Sequence, residues 1–179
     1  MSQAYAEVIG DPIAQSKSPV IHGYWLEKLG IEASYRAAHV PSEALAGYLS
    51  GRKADPDWRG CNVTMPHKQA VMPLLDRLEP LAGRVGAVNT IVRESDGSLT
   101  GFNTDVAGFL EPLRGQLARK HLFRMARVFG TGGAARAIVA ALAAENVATD
   151  PIRTDTLTGR RYTFFADPDG LPLELYEIP

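Results

Sequence analysis

Three short segments of this 179-residue chain concentrate the side chains that could bind or act on a small molecule. They are Gly10–His22, Gly60–Lys68 and Gly101–Asp105, and each places hydroxyls, amides and charged groups at a Gly- or Pro-rich strand end. In an open α/β sheet, ligands lie outside the carboxyl ends of the strands, so these side chains are expected to face a common ligand. Their chemistry suits a small polyhydroxy acid.

Ser16 and Ser18 flank Lys17 just before a predicted helix. Two hydroxyls, together with exposed backbone amides and the positive end of the helix dipole, would bind a carboxylate. The alternative is that Ser18 only caps the helix and Ser16 is an ordinary loop residue. Spacing alone leaves both interpretations open.

Lys68 follows Thr64 by four residues and lies in the first turn of a helix predicted from Pro66 through Leu75. The positive end of that helix would disfavour the charged form of the lysine, which suits a group that exchanges a proton with a substrate. The alternative is a solvated surface lysine, the usual state of this residue type. The adjacent His67 is expected to face solvent.

Asp105 begins another predicted helix, where a carboxylate can act as an N-terminal cap. The functional alternative is that it binds a substrate hydroxyl and pairs with Lys68. Further polar side chains at predicted strand ends are Asn62, Thr64, Asn89 and Asn103.

A glycine-rich turn from Gly130 to Ala135, GTGGAA, follows a predicted strand and opens a predicted helix. Glycines in this context permit a tight turn and let the backbone approach a pyrophosphate. Asp150 stands at the distance expected of an acid that binds a ribose hydroxyl, and Arg153 with Thr154 is the alternative, a site for a 2′-phosphate. A polyol site followed by a dinucleotide-binding turn indicates a dehydrogenase.

The predicted elements define an α/β fold with three parts. Strands alternate with helices in residues 1–113, which favours a mostly parallel sheet that binds the substrate. Residues 114–148 supply one strand, the glycine-rich turn and one Ala-rich helix, which is an incomplete, Rossmann-like start of a nucleotide-binding domain. Residues 149–179 form a tail with a predicted β-hairpin.

Composition gives no reason to expect nucleic acid or a membrane as a partner. Nineteen basic residues against 20 acidic ones leave a formal net charge of -1, and no apolar run approaches the roughly 20 residues that span a bilayer. The N-terminus lacks the pattern of a secretory signal, and a single cysteine fits a reducing cytoplasm. The four histidines have no metal-ligand spacing, so no metal is predicted.

The polar segments, taken together, resemble the shikimate dehydrogenase family from about Ala6 to Val147. Four motifs carry this resemblance, in the order of the family. They are Gly10–His22, Asn62–Lys68 (NVTMPHK), Gly86–Thr90 (GAVNT) and Gly101–Asp105 (GFNTD).

The resemblance implies a reversible, NADP-dependent reduction of 3-dehydroshikimate to shikimate in aromatic amino-acid biosynthesis. Ser16 and Ser18 would hold the substrate carboxylate. Hydroxyls would be bound by Thr64, Asn89 and Asp105, and Lys68 would act with Asp105 as the acid/base on the C3 oxygen. The cofactor pyrophosphate would be bound by Gly130, Thr131, Gly132, Gly133 and Ala134.

Residues 151–177 resemble instead the end of a glyoxalase-like (vicinal oxygen chelate) domain, in which the residue matching Glu174 is a metal ligand. Three alternatives therefore accompany the dehydrogenase. The first is a shikimate-binding module with a vestigial cofactor turn, and the second, less favoured, is a fragment of a glyoxalase-like metalloenzyme. The third is an enzyme of the same family that uses quinate or NAD. A homodimer is a further expectation.

Overall fold

The computed structural model describes residues 3–113, 115, 128, 132–145, 153–154, 156, 161–166 and 172–176. The chain divides into two compact units, Met1–Asn103 and Thr104–Pro179. The first unit contains all the candidate site residues that precede Thr104, and the second contains Asp105 and the glycine-rich turn.

A six-stranded sheet forms the frame of the first unit. Its strands are β1 (Ala4–Gly10), β2 (Ala33–His39), β3 (Trp58–Val63), β4 (Arg77–Leu78), β5 (Thr90–Arg93) and β6 (Leu99–Phe102). They lie in the order β2-β1-β3-β5-β6-β4. The β1–β2, β1–β3 and β4–β6 pairs are parallel, and the β3–β5 and β5–β6 pairs are antiparallel. The predicted α/β class is therefore confirmed, with parallel pairs outnumbering antiparallel ones by three to two.

Three helices connect the strands, namely α1 (Ser18–Leu29), α2 (Leu45–Lys53) and α3 (Pro80–Val85). Helix α1 ends at Gly30, whose φ of 64° is the left-handed conformation that glycine adopts without steric cost. Helix α3 begins after Glu79, whose carboxylate accepts hydrogen bonds from the backbone N–H groups of Leu81 and Ala82 at 2.8 and 3.3 Å. These contacts mark the end of α1 and the start of α3.

The prediction of a helix from Pro66 through Leu75 is wrong. The segment consists of turns followed by one short 3-10 helix, Met72–Leu74. In an α-helix the Lys68 carbonyl would accept from the Met72 N–H, but here it accepts from the Val88 N–H at 2.7 Å, and Met72 bonds to Gln69. A long-range backbone bond thus replaces the helical one.

The main hydrophobic core packs one face of β1, β3 and β5 against α2 and the turns before β4. Its fully buried members include Ile9, Leu49, Trp58, Val71, Ile91 and Leu99. Burial of such side chains, about 1.5–3 kcal/mol each for aliphatic residues, is the main favourable contribution to folding. This core holds the strands whose ends carry the candidate site.

A carboxylate lies within this core, which the sequence did not predict. Glu7 is only 1% exposed, and its oxygens accept hydrogen bonds from Arg36 Nε at 2.9 Å, from Arg52 Nε at 2.7 Å, and from the Tyr48 hydroxyl. Burial by itself would raise the pKa of Glu7, but the hydrogen bonds from Arg52, Tyr48 and Arg36 outweigh it and hold that pKa below its ordinary value. The charged Glu7 therefore joins β1, β2 and α2.

The second unit contains two helices, α4 (Asp105–Leu110) and α5 (Gly133–Ala144). They pack together through an apolar cluster of Val128, Ala135, Leu142, Phe109, Ile138 and Val139. Ile138, Val139 and Leu142 form the apolar face of the Ala-rich helix α5. Of the strand predicted before the glycine-rich turn, Arg127 and Phe129 lie outside the described residues.

The tail forms a separate three-stranded antiparallel sheet of β7 (Arg153–Thr154), β8 (Arg161–Ala166) and β9 (Pro172–Tyr176). The predicted hairpin is confirmed, with Tyr162 opposite Tyr176 and Ala166 opposite Pro172. The sequence did not predict β7. Among the described helices, none has both the length and the hydropathy that crossing a bilayer requires.

Replacing Glu7 by glutamine tests the buried charge. We expect Glu7→Gln to lower the free energy of unfolding at pH 7 by about 2–3 kcal/mol, less than for a fully buried pair because Arg36 and Arg52 are partly exposed. The folded pKa of Glu7 is lowered, so its stabilisation is present above the unfolded pKa of about 4.3 and is lost as the pH falls through the folded pKa.

Urea unfolding of both proteins at pH 7 and pH 3 measures this effect, and the difference between them should shrink at the lower pH. Glu43→Gln, which changes an exposed carboxylate, is the control and should leave stability nearly unchanged. A loss from Glu7→Gln that is the same at both pH values would contradict the charged assignment.

Candidate active site

The ends of β1 and β3 lie in direct contact, and this places two of the motifs side by side. The Thr64 N–H donates to the Ile9 carbonyl at 2.9 Å, and the Asp11 N–H donates to the Met65 carbonyl at 3.1 Å. A Cβ atom on Gly10 would lie 2.6 Å from Thr64 Cγ2 and 2.9 Å from Met65 O. Only glycine fits here, because any side chain would push the two segments apart.

The end of β3 is joined in the same way to the segment before β5. The Val63 N–H donates to the Asn89 carbonyl at 2.8 Å, and the Asn89 N–H donates to the Phe102 carbonyl at 3.0 Å. Together with the bond between Val88 and Lys68, these contacts bring the backbones of Lys68 and Asn89 to the same edge of the sheet. Three motifs therefore meet at this edge, namely Asn62–Lys68, Gly86–Thr90 and the first part of Gly101–Asp105, up to Asn103.

Lys68 is partly buried, so it is not a fully solvated surface lysine. The predicted helix, whose dipole was expected to act on the Lys68 charge, does not form. The carbonyl of Lys68 accepts instead from the Val88 N–H. What positions Lys68 is this bond and its neighbour His67. The His67 ring is completely buried and its Nε2 donates to the Val40 carbonyl at 2.6 Å. The expectation that His67 faces solvent is therefore wrong, and the ring anchors this turn to the end of β2.

Ser16 and Ser18 are both partly exposed at the start of α1. The residue at the cap position is Lys17, which makes no side-chain capping bond, and Ser18 is the first helical residue. The alternative that Ser18 merely caps the helix is therefore wrong. The Ser16 hydroxyl accepts from the Ser18 N–H at 3.3 Å, so the two serines are held next to each other.

A chain of side-chain hydrogen bonds runs across the sheet between β2 and the start of β5. The Tyr35 hydroxyl donates to Asn62 Oδ1 at 2.6 Å, Asn62 Nδ2 donates to Thr90 Oγ1 at 3.2 Å, and Thr90 Oγ1 donates to Asn89 Oδ1 at 3.1 Å. We call these four residues the amide chain. Ala6 of β1 lies opposite Tyr35 in the sheet register, and its small side chain leaves room for the phenol.

The amide chain is connected to the serines through His22. The His22 ring stacks on Tyr35 with centroids 4.0 Å apart and planes 7° apart, and its Nδ1 lies 3.0 Å from the Ser18 carbonyl. Because a carbonyl only accepts, that nitrogen carries the proton. Sequence reasoning missed Tyr35 and Thr90. The Ala-x-Tyr-x-Ala pattern of β2, with a tyrosine between small residues on one face, is the signal that could have found Tyr35.

The remaining predicted residues have different positions. Asn103 is buried and its Nδ2 donates to the Ala87 carbonyl at 2.9 Å, which is a structural role. Asp105 is the first residue of α4 after Thr104 at the cap position, so its carboxylate lies in the first turn, where the helix dipole favours it. Its pairing with Lys68 stays a prediction.

Part of the glycine-rich turn is described. Gly132 has extended backbone at the cap position of α5 and no side-chain capping bond, and Gly133 and Ala134 begin the helix. Gly130, Thr131 and Asp150 lie outside the described residues, and Arg153, Thr154 and Glu174 are described only as strand backbone. No group of three His, Cys, Asp or Glu residues that could hold a metal occurs within the described ranges.

The first unit has the architecture of an α/β ligand-binding domain, since polar side chains lie at the strand ends of its mixed sheet. Residues 8–91 match the family model described as the shikimate dehydrogenase substrate binding domain. Residues 8–91 therefore correspond to the substrate-binding domain of the shikimate dehydrogenase family.

Relatives support this assignment along most of the chain. Shikimate dehydrogenase (NADP(+)) of Sphingopyxis alaskensis is 60% identical over 144 residues, which are 80% of this chain and 51% of the relative. The chain thus spans about half the length of the curated relatives it matches.

Solved structures show the same similarity. One of them is shikimate 5-dehydrogenase from Thermus thermophilus in complex with NADP(H) and shikimate, with a TM-score of 0.69 and 43% sequence identity. The match covers 79% of this chain and 52% of that protein. The ligand-free 5-ketofructose reductase of Gluconobacter sp. strain CHM43 has a TM-score of 0.67 and 33% identity, with coverage of 81% and 51%.

Substitution of Gly10 tests the contact between the motifs. We expect Gly10→Ala to lower the free energy of unfolding by about 1–3 kcal/mol, because the added methyl group overlaps Thr64 and the Met65 carbonyl. Gly47→Ala is the matched control, since nothing lies within 4 Å of a Cβ there, and it should stabilise helix α2 by up to about 1 kcal/mol. Chemical denaturation measures both. Equal effects of the two substitutions would contradict the close packing at Gly10.

Proposed function

We propose that this chain binds shikimate and acts as an NADP-dependent shikimate dehydrogenase, reversibly reducing 3-dehydroshikimate. The observation that carries the proposal is the convergence of Thr64, Lys68 and Asn89 at one edge of the sheet, fixed by backbone hydrogen bonds. The names of the relatives support the choice of substrate and cofactor. Residues 1–113 form the substrate-binding part in this proposal, 114–148 the start of the nucleotide-binding part, and 149–179 the glyoxalase-like tail.

Different residues bind the carboxylate and the hydroxyls of the substrate in this proposal. Ser16 and Ser18, adjacent at the start of a 12-residue helix, bind the carboxylate with their hydroxyls. Thr64, Asn89 and Asp105 bind the ring hydroxyls. The positive end of the α1 dipole adds a favourable interaction with the carboxylate.

Proton transfer belongs to Lys68. In the reducing direction its ammonium group donates a proton to the C3 oxygen as that oxygen gains negative charge, and in the oxidising direction the amine takes the proton back. Asp105 orients the same hydroxyl and stabilises the charged lysine.

The start of α5 fits the pyrophosphate of a dinucleotide. Gly132 and Ala134 are exposed at the start of this 12-residue helix, and the small residues there let a phosphate approach the backbone. Gly130 and Thr131 complete this turn in the proposal. When bound, NADPH supplies the hydride that reduces the ketone.

The proposal also includes a cytoplasmic homodimer. The buried thiol of Cys61 fits a reducing compartment. Helix α1 exposes large apolar side chains that a second copy would cover, namely Val20, Ile21, Tyr24, Trp25 and Leu29. Sedimentation velocity distinguishes this dimer from a monomer.

Oxidation of shikimate with NADP+ tests the catalytic assignment, followed as nicotinamide reduction. We expect Lys68→Ala to lower kcat about 10²–10⁴-fold, because it removes the proton-transfer group. Lys28→Ala, an exposed lysine of α1, is the control and should retain full activity. Turnover that survives Lys68→Ala would contradict the role of Lys68. Shikimate binding without turnover by the parent chain would instead favour the binding-module alternative.

Calorimetric titration with shikimate tests the serines. Ser16→Ala and Ser18→Ala should each weaken binding about tenfold or more, since each removes a hydrogen bond to a charged group. Ser50→Ala, in an exposed position of α2, should leave binding unchanged. Binding that is indifferent to both site serines would show that the carboxylate lies elsewhere.

A second candidate substrate is a hydroxylated ketone without a carboxylate, favoured by the similarity to 5-ketofructose reductase. The serines distinguish the two candidates, because such a ketone offers them no anion. If the chain reduces 5-ketofructose, and Ser16→Ala and Ser18→Ala leave that activity intact, this candidate replaces shikimate.

A further inference from the structure

The hydrogen bonds of the amide chain all run in one direction, from donor to acceptor, starting at Tyr35. A carboxamide offers different groups at its two ends, since its oxygen only accepts and its nitrogen only donates. Tyr35 donates to the oxygen of Asn62, so the nitrogen of Asn62 is directed to Thr90. The Thr90 hydroxyl, having accepted this bond, donates its own proton to the oxygen of Asn89.

Reversing this chain would leave the phenol without an acceptor. If both carboxamides rotated by 180°, Asn62 would donate to Tyr35, and the Tyr35 O–H would need another oxygen. The hydrogen bond to Asn62 is the one that the structure records for this hydroxyl among the described residues. Burial raises the pKa of Tyr35, which keeps the phenol protonated and therefore a donor. An unpaired, partly buried O–H is costly, so the observed direction is favoured.

The position of the phenol is itself fixed from two sides. The His22 ring stacks on it, and His22 is held by the Ser18 carbonyl. On the sheet, Tyr35 lies opposite Ala6 of β1, and Val8 of the same strand pairs with Asn62 of β3. The phenol thus reaches across β1 to Asn62 as part of a packed layer.

We propose that Tyr35 is a positioning residue of the substrate site, whose hydroxyl sets the orientation of the Asn62 and Asn89 carboxamides and hence the hydrogen-bonding groups they present to a polyhydroxy ring. The inference rests on the proposed function, in which Asn89 binds a substrate hydroxyl. With its oxygen turned to Thr90, Asn89 has its nitrogen on the side away from Thr90, and that end donates to the hydroxyl oxygen.

Tyr35→Phe tests this role, because it keeps the ring on His22 and removes only the hydroxyl. We expect the Kd for shikimate to rise about tenfold, which corresponds to the loss of alignment in one or two neutral hydrogen bonds. The Kd for cyclohexene-1-carboxylate, which has the ring and carboxylate but no hydroxyls, should change less than about twofold. Titrations followed by amide NMR spectra measure both ligands. The side-chain NH2 signals of Asn62 and Asn89 should shift in the variant before any ligand is added.

Two further variants complete the test. Tyr24→Phe removes an exposed phenol on α1 and should change neither Kd. Thr90→Val breaks the amide chain at its centre while Tyr35 is retained, and it should reproduce the selective loss of shikimate binding even if Tyr35→Phe fails to fold.

The outcomes separate the two proposals. If the parent chain binds shikimate but Tyr35→Phe and Thr90→Val bind it equally well, the positioning role is overturned and the proposed function stands. If either variant weakens both ligands to the same degree, the effect is a general disturbance and the positioning role is again overturned. If the parent chain does not bind shikimate, both proposals fail together.

Discussion

The candidate site depends on the close approach of two backbone segments at Gly10. Where a Cβ atom would overlap both Thr64 and the Met65 carbonyl, the end of β1 can lie directly against the end of β3. The same contact continues through Asn89 to Phe102 by backbone hydrogen bonds. Three distant motifs therefore meet because their backbones are packed tightly against each other.

The polar groups of the core differ in charge from those of the amide chain. Inside the core, the charged Glu7 pairs with two arginines and accepts a hydrogen bond from a tyrosine, an arrangement that holds β1, β2 and α2 together. At the edge of the sheet, the polar groups of the amide chain are neutral and bond to each other in sequence. Neutral, oriented donors and acceptors of this kind discriminate strongly against a ligand that lacks the matching hydroxyl, because the protein groups are then left unpaired.

The sequence predicted the motifs, the α/β class and the hairpin of the tail, since glycines, prolines and alternating apolar residues carry these signals locally. It failed where a long-range contact overrides a local preference. The helix after Pro66 is lost because Val88 takes the Lys68 carbonyl, and His67 is buried because the Val40 carbonyl accepts from it. The amide chain was missed for the same reason, because Tyr35 is 27 residues from Asn62.

The irregular segment that carries Lys68 is bonded to several elements at once. Its backbone and side chains reach the end of β1, the end of β2 through His67, and the segment before β5. A surface loop usually opens independently of the rest of the protein, with a low free energy of opening. This segment can open only if its contacts with all three elements break together. Its amide hydrogens should therefore exchange with solvent in the same cooperative unit as those of the sheet. Lys68 is thereby attached to the core at several points without lying in a helix or a strand.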